Sequence, residues 1–350
     1  FEVAGTALAG NSKLKEISKS NTDTAVDICV YDTRKDSDGG AWRKRTQNTS
    51  WYNEALGTST RGTRKEFPCV AVIVAESNQV TIYDGDDPDM PMWMVFNVAN
   101  NLWLKHSGSG GCRAVVAKNG IMVTGGDLRG SIVRFIADDG NVFEAGYNYE
   151  HNGIVTRNTS GVGPSTGPIR IANNEVNDVA ITVLPNAPID YDTGLPVPTI
   201  AVATIGGLTV ITDNGKHFDI KGHVDYNFIE TVDFTTDNKL IYSMDYSGYA
   251  RYVRVDNIPA SDFAVTATNG NPHLQENSLG FYTYDNSALN DVIFLAPNGS
   301  HDRPVCKNAI GSTAGLTILD SSIRGRETSD YTLVDYVGYD FNTGWIHGDV

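Results

Sequence analysis

Residues 207–213 read Gly207-Leu-Thr-Val-Ile-Thr-Asp213, a glycine opening onto β-branched side chains and closing on an aspartate. Such a run suits a short buried strand between tight turns, because Val, Ile and Thr pack well on a pleated surface while Gly and Asp punctuate it. The pattern recurs as QVTIYD from Gln79, GIMVTG from Gly120, KLIYSMD from Lys239, GFYTYD from Gly280 and GLTILD from Gly315. Successive starts lie 41, 87, 32, 41 and 35 residues apart, so the period is near 40 and the long interval is expected to hide one degenerate unit. Ahead of most copies stands a second apolar strand, as in CVAVIVAESN, CRAVVAKN, DVAITVLPN, PTIAVATIG and IETVDFTTDN. Paired strands returning at such a period predict an all-β fold, a β-propeller of about six or seven blades with very little helix. A sandwich or jelly roll is the competing all-β reading.

Working outward, residues 1–24 read as a connecting segment and 25–350 as one propeller domain. The stretch LKEIS near Leu14 is too short for a stable helix. Two segments rich in Gly, Pro, Ser and Asn, 149–168 and 186–198, are expected to be long loops on one face. The hairpin Ile136-Ala-Asp138-Asp-Gly140-Asn-Val-Phe143 matches Ile211-Thr-Asp213-Asn-Gly215-Lys-His-Phe218. Here Asp is expected to cap the turn, Gly to take the positive φ and Phe to return to the core. The pair resembles the Asp-box hairpin of sialidase-like propellers, without its leading Ser or Thr; a third near-copy, Asp38-Gly-Gly40-Ala-Trp42, is one residue short.

The chain has 350 residues, 40% of them hydrophobic, which is enough for a substantial core. Its 27 Lys and Arg against 42 Asp and Glu give a net charge of −15, which repels phosphate backbones and anionic bilayers and argues against nucleic-acid or membrane partners. The 35 glycines call for many turns. No run reaches the roughly 18 apolar residues of a membrane span, and the start at Phe1 carries no secretory signal pattern; the chain reads as a piece of a longer one. Cys29, Cys69, Cys112 and Cys306 have neither metal-ligand nor redox spacing and read as small buried hydrophobes in a reducing cytoplasm.

The most distinctive stretch is AVDICVYDTRKDSDGGAWRKRTQNTSWYNEAL, residues 25–56, which runs through Arg61-Gly-Thr-Arg64-Lys-Glu66-Phe67-Pro68 into VAVIVAESNQVTIYDGDDPDMPMWMVFN. It resembles predicted virion-associated proteins of marine tailed bacteriophages, most densely at YDTRKDSDGGAWR, SWYNE and YDGDDPDMPMWMVFN, and the resemblance extends over residues 25–348. What it implies is a propeller-like structural component of a tail or fibre, with no catalytic residue to carry across.

No Walker loop, G-x-S-x-G elbow or H-E-x-x-H helix is present, and the seven histidines are dispersed. Asp84, Asp86, Asp87 and Asp89 crowd carboxylates that suit Ca²⁺, the one cofactor considered, against the plainer reading of a solvated turn. Asp32, Asp36 and Asp38, beside Arg34 and Lys35, read as a salt-bridged turn. Trp42, Arg43, Arg45, Trp51 and Tyr52 unite aromatic and cationic groups, which serve either as a partner contact or as core with its ion pairs. Met92–Phe96 reads as a buried strand.

The resulting expectation is a non-enzymatic structural and interaction component of a tailed-phage virion, assembled in the host cytoplasm. Its partners are other virion proteins and a host-surface glycan or receptor, within a homo-oligomeric assembly. The alternative is a carbohydrate-active or carbohydrate-binding propeller, secreted or at the cell surface, with carboxylates as catalytic groups.

Overall fold

The computed structural model describes residues 24–98, 102–104, 111–159, 169–221, 228–235, 238–246 and 250–264, and the strands within 279–283, 289–295, 305–312, 315–322 and 331–336. LKEIS lies outside these. The chain divides into two compact units, Phe1–Asp219 and Ile220–Val350.

In the first unit, one sheet meanders through β1 (Ala25–Asp32), β2 (Val70–Glu76), β3 (Gln79–Asp84) and β4 (Met92–Asn97). A second runs through β5 (Cys112–Lys118), β6 (Ile121–Gly126), β7 (Gly130–Arg134), β8 (Asp139–Phe143) and β9 (Asn148–Asn152). The third holds β10 (Val176–Thr182), β11 (Thr199–Thr204), β12 (Gly207–Ile211) and β13 (His217–Lys221).

The second unit carries a sheet of β14 (Phe228–Phe234), β15 (Leu240–Tyr246), β16 (Ala250–Asp256) and β18 (Leu279–Thr283). A further sheet is formed by β19 (Leu289–Leu295), β20 (Val305–Ser312), β21 (Gly315–Ser322) and β22 (Tyr331–Tyr336). The two-residue strand β17 (Phe263–Ala264) pairs in parallel with Ile220 and Lys221. The fold is thus all-β; helix among the described residues is confined to 3-10 turns at Thr33–Lys35, Ala41–Arg45 and Ile154–Thr156.

The recurring strings occupy unlike places. QVTIYD, GLTVI and GLTILD are third strands of their sheets, GIMVTG and LIYSMD second strands, and GFYT the last strand of its sheet. A glycine turn followed by buried β-branched residues serves any of these positions, so the spacing near 40 is not the structural period. The interval from Gly120 to Gly207 holds no extra sheet among the described residues: it contains the rest of the second sheet and the first two strands of the third.

What does repeat is a feature of the first strand, at intervals that vary from 52 to 87 residues. In each sheet its pairing with the second strand shifts register near its start: Ala25/Asp27, Cys112/Ala114, Val176/Asp178, Ile229/Val232 and Leu289/Asp291. Such a bulge bends the strand and strengthens its twist. Neighbouring first strands lie together, β1 against β5 and β5 against β10 in the first unit, and β14 against β19 in the second.

Among the described residues of the first unit, two hydrophobic clusters stand out. Between the first and second sheets, Trp42, Trp51 and Phe67 pack with Trp93 and Phe135, ring centroids 4.8 Å apart for Phe67–Phe135 and 5.4 Å for Trp51–Trp93. Edge-to-face contacts of this kind add about 0.5–1.5 kcal/mol per pair to area burial. Between the second and third sheets lies an aliphatic core including Val123, Ile132, Val176, Val179 and Ile200. Here Gly125 is dictated by close approach, because a Cβ on it would stand 2.3 Å from Val176 Cγ1. Cys112 is fully buried, and Cys29 and Cys69 are half-buried; all three are free thiols. Residues 149–152 belong to β9 rather than to the expected loop.

Candidate functional site

Segment 186–198 is a loop, and the chain holds it tightly. Asp190 N–H donates to Leu195 O at 2.9 Å, Gly194 N–H to Asp190 O at 2.8 Å and Val197 N–H to Pro188 O at 2.9 Å. The Asp190 carboxylate accepts from Asp192 N and Thr193 Oγ1, and Gly194 takes φ +66°, which only glycine adopts without strain. Leu195 is buried beneath, Arg45 Nη2 donates to Thr193 O at 2.9 Å, and Asn119 Nδ2 to Pro196 O at 3.1 Å. Three prolines, Pro188, Pro196 and Pro198, restrict the unfolded chain as well. What this frame displays is Ile189, 62% exposed, and Tyr191, 98% exposed.

Beneath the loop, between the second and third sheets, lies a cleft of about 370 Å³. Ile121, Ile132 and Phe143 of the second sheet form one wall and Ile200 and Ile211 of the third the other, while Leu195, Pro196 and Val197 close the side. Arg134, Asn119 and Asn141 border it with their polar atoms already engaged. Arg134 donates to Asp139 Oδ1 and Asn141 Oδ1, each at 2.6 Å; Asn141 Nδ2 donates to Asn148 Oδ1; Asn119 Nδ2 donates to Ser37 Oγ and Pro196 O. Asp190 and Asp213 complete the border.

The acidic run 84–89 is drawn into other work. Arg64 Nε pairs with Asp84 and its Nη1 with Asp86 at 3.3 Å, while Asp86 also accepts the Cys69 and Val70 amides at 2.6 and 2.9 Å. Asp87 accepts the Asp89 amide at 2.9 Å, an Asx turn. The run weighed above as a Ca²⁺ site or a solvated turn is thus braced by arginine and by backbone amides; among the described residues no three His, Cys, Asp or Glu side chains converge as metal ligands.

Of the aromatic and cationic group, Trp42 and Trp51 are fully buried, in keeping with the core reading of these two rather than the partner-contact one. Arg43 donates to Phe67 O at 3.0 Å and pairs with Glu66; Arg45 bridges Asp38 and Thr193 O; half-buried Tyr52 packs edge-on against Trp51.

Two buried polar networks escaped the sequence reading. Asp36 accepts from Tyr31 Oη, from Trp42 Nε1 at 2.8 Å and from the Asn119 amide at 2.9 Å, while Tyr31 Oη accepts the Gly120 amide at 2.8 Å. Desolvation holds the Asp36 carboxyl above its usual range. Arg61 and Arg157, both fully buried, share Glu54: Arg157 forms a fork to its carboxylate at 2.9 and 3.1 Å, and Arg61 Nε stands 3.9 Å away. Arg61 also lies 4.1 Å over the Trp93 ring and donates to the Trp93 and Lys65 carbonyls. Arg61 could have been suspected from the Arg61-Gly-Thr-Arg64 string; nothing marks Arg157, in a polar segment, as buried.

The matched hairpins differ. In the second copy Gly215 takes the positive φ, +76°. In the first, Asp138 itself takes it, at +59°, and Gly140 lies in β8 where a Cβ would meet Ile132 O at 2.6 Å. The Asp138 carboxylate then accepts the Ser50 amide at 2.6 Å, Ser50 Oγ at 2.8 Å and the Ile154 amide at 2.8 Å, tying the N-terminal block to the second sheet.

Burial predicts an alkaline limit to stability. Desolvation pushes the thiols of Cys29 and Cys112 up to about 11 and about 12, and the Tyr31 hydroxyl well above its ordinary value. These acids deprotonate first in the unfolded chain, so the stability they contribute is whole below about pH 9 and is lost as pH rises through their folded values. Arg61, pulled down to about 10 by desolvation, acts in the opposite sense but alone. The urea midpoint is expected to fall steadily from pH 9 to pH 11. In Cys112→Ala the fall should be shallower by on the order of 2 kcal/mol at pH 11; an unchanged slope would contradict this origin.

No protein-family model matches the chain, and no curated protein matches it. Among solved structures it is similar to the extracellular domain of a hybrid two-component system from B. thetaiotaomicron, at 12% identity and TM-score 0.36, over 77% of this chain and 32% of that one. Similar too are the WD40 β-propeller domain of Doa1 (11% identity, TM-score 0.31, 75% and 91% covered) and the N-terminal domain of Nup159 (10% identity, TM-score 0.37, 76% and 62% covered). The chain spans about a third of the bacterial protein's length.

Proposed function

We propose that the five described sheets are blades of a β-propeller, and that this propeller is a non-enzymatic structural component of a tailed-phage virion, in the tail or an attached fibre. The observation that carries the blade reading is the register shift repeated in the first strand of every sheet. The phage setting draws on the resemblance at YDTRKDSDGGAWR and SWYNE, whose residues act here as braces: Tyr31, Asp36 and Trp42 in one network, Ser50 and Glu54 in others. On this reading the braced loop 186–198 presents Ile189 and Tyr191 to neighbouring virion proteins or a host-surface receptor. Rigid display of an exposed aromatic lowers the entropy lost on contact.

The test is mass spectrometry and immunogold labelling of purified particles of the encoding phage. The chain is expected at stoichiometric copy number on the tail or fibre. Its absence from particles, or release of reducing ends from bacterial polysaccharides by the purified chain, would overturn the proposal.

A further inference from the structure

The cleft beneath loop 186–198 has an apolar interior and an acidic border. Its volume of about 370 Å³ sits at the lower end of the roughly 300–1,000 Å³ that small-ligand pockets occupy, room for one or two side chains. Among the described residues that line it the one cation is Arg134, which is already neutralised by Asp139 and held by Asn141. Asp213 is half-buried and, among the described residues, has no hydrogen bond or ion pair. Among the described residues the Asp190 carboxylate is met by groups of its own loop, the Asp192 amide and the Thr193 hydroxyl. Flanking Asp192 and a chain charge of −15 deepen the negative field at the mouth.

An anion would be repelled from this border, and a purely apolar group would leave Asp213 facing it unpaired. A group that is aliphatic along its length and cationic at its end satisfies both parts, since lysine and arginine bury their methylene stems while the charged head stays at a polar rim. We propose that the cleft receives a lysine or arginine side chain of a partner protein, the stem between Ile132 and Ile211 and the cation at Asp213 and Asp190. The inference rests on the interaction role proposed above for its biological setting only; particle composition tests that role, and peptide binding tests this one.

The experiment is fluorescence anisotropy on the full chain in 0.15 M salt, with a labelled Ac-Leu-Lys-Leu-Lys-Leu peptide and the same peptide carrying Glu for Lys. The lysine peptide is expected to bind at least tenfold more tightly. Asp213→Asn, at a half-exposed position, should weaken it three- to tenfold with an unchanged melting temperature. Val197→Trp, which fills the cleft and leaves the charge alone, should abolish binding; if that variant melts early, the Asp213→Asn result decides. Equal binding of the two peptides, no effect of Asp213→Asn, or full binding by a well-folded Val197→Trp would each overturn the proposal, the last by showing diffuse attraction to an acidic surface. Hexylammonium should compete only weakly; binding of hexylammonium without any binding of the lysine peptide would assign the cleft to a small amine and overturn the protein-partner reading.

Discussion

Replacing Glu54 by alanine is expected to lower the stability of the first unit by about 3–5 kcal/mol, the usual loss when one member of a buried ion network is removed. Arg157 and Arg61 are 1% and 0% exposed at the side chain, so without Glu54 two guanidinium groups would remain in the interior with no counter-charge. The carbonyls of Val95, Thr60, Trp93 and Lys65 would still accept from them, but a carbonyl dipole does not neutralise a charge. Glu54→Gln, which retains an acceptor but no charge, should lose less than the alanine variant. Urea unfolding at pH 7, followed by tryptophan fluorescence from Trp51 and Trp93, reads the effect; a loss below about 1 kcal/mol, the worth of an exposed pair, would mean the network is hydrated.

The second large effect is expected at Asp36. Its carboxylate is the shared acceptor for the Tyr31 hydroxyl, the Trp42 indole and the Asn119 amide, all in the interior. Stranding a buried donor costs about 1–3 kcal/mol each, so Asp36→Ala should lose on the order of 4 kcal/mol. Asp36→Asn offers one carbonyl oxygen to the same donors and escapes the charge desolvation that raises the Asp36 pKa, so it should lose less than half as much. The same urea experiment decides, and an alanine variant no weaker than the asparagine one would contradict the shared-acceptor role. Because Asn119 also holds Pro196 O, Asp36→Ala is further expected to loosen loop 186–198, read as faster amide exchange at Leu195 and Val197.

Several strands were legible residue by residue. QVTIYD coincides with β3, and the Met92–Phe96 run falls within β4, because β-branched and large apolar residues between turn signals admit few other readings. A signal of the sheets' first strands was also present in another place: Asn177-Asp-Val recurs as Asn290-Asp-Val at the register shift of β10 and β19, while the glycine-led strings drew attention to strands of unlike position. β9 was missed because Asn-Tyr-Glu-His-Asn is polar throughout; only Asn148 and His151 are buried, and no apolar alternation marks it.

The candidate cleft was half legible. Proline and glycine announced the loop at 186–198, yet the two facing walls come from residues 57 to 90 positions apart, brought together by sheet packing alone. The N-terminal block offered charge and aromatic rings without saying which faced inward. Trp42 and Trp51 went inside because partners for their indole N–H groups, Asp36 and Phe135 O, wait there.

The bonds that seat this block reach far along the chain: Ser37 to Asn119 spans 82 positions, Ser50 to Asp138 spans 88, Glu54 to Arg157 spans 103 and Arg45 to Thr193 spans 148. At a translation rate of about 5–20 residues per second, the last of these partners leaves the ribosome roughly 7–30 seconds after the block does. Trp42, Trp51 and Phe67 lack a lining until Trp93 and Phe135 have followed, and the block is not fully tied down until Thr193 has, so vectorial synthesis leaves a nascent hydrophobic segment waiting for its own lid. Holdase chaperones that grip aromatic-rich nascent chains should engage residues 33–68 first, and slowing elongation should lower the soluble yield of this protein more than that of one whose contacts are local.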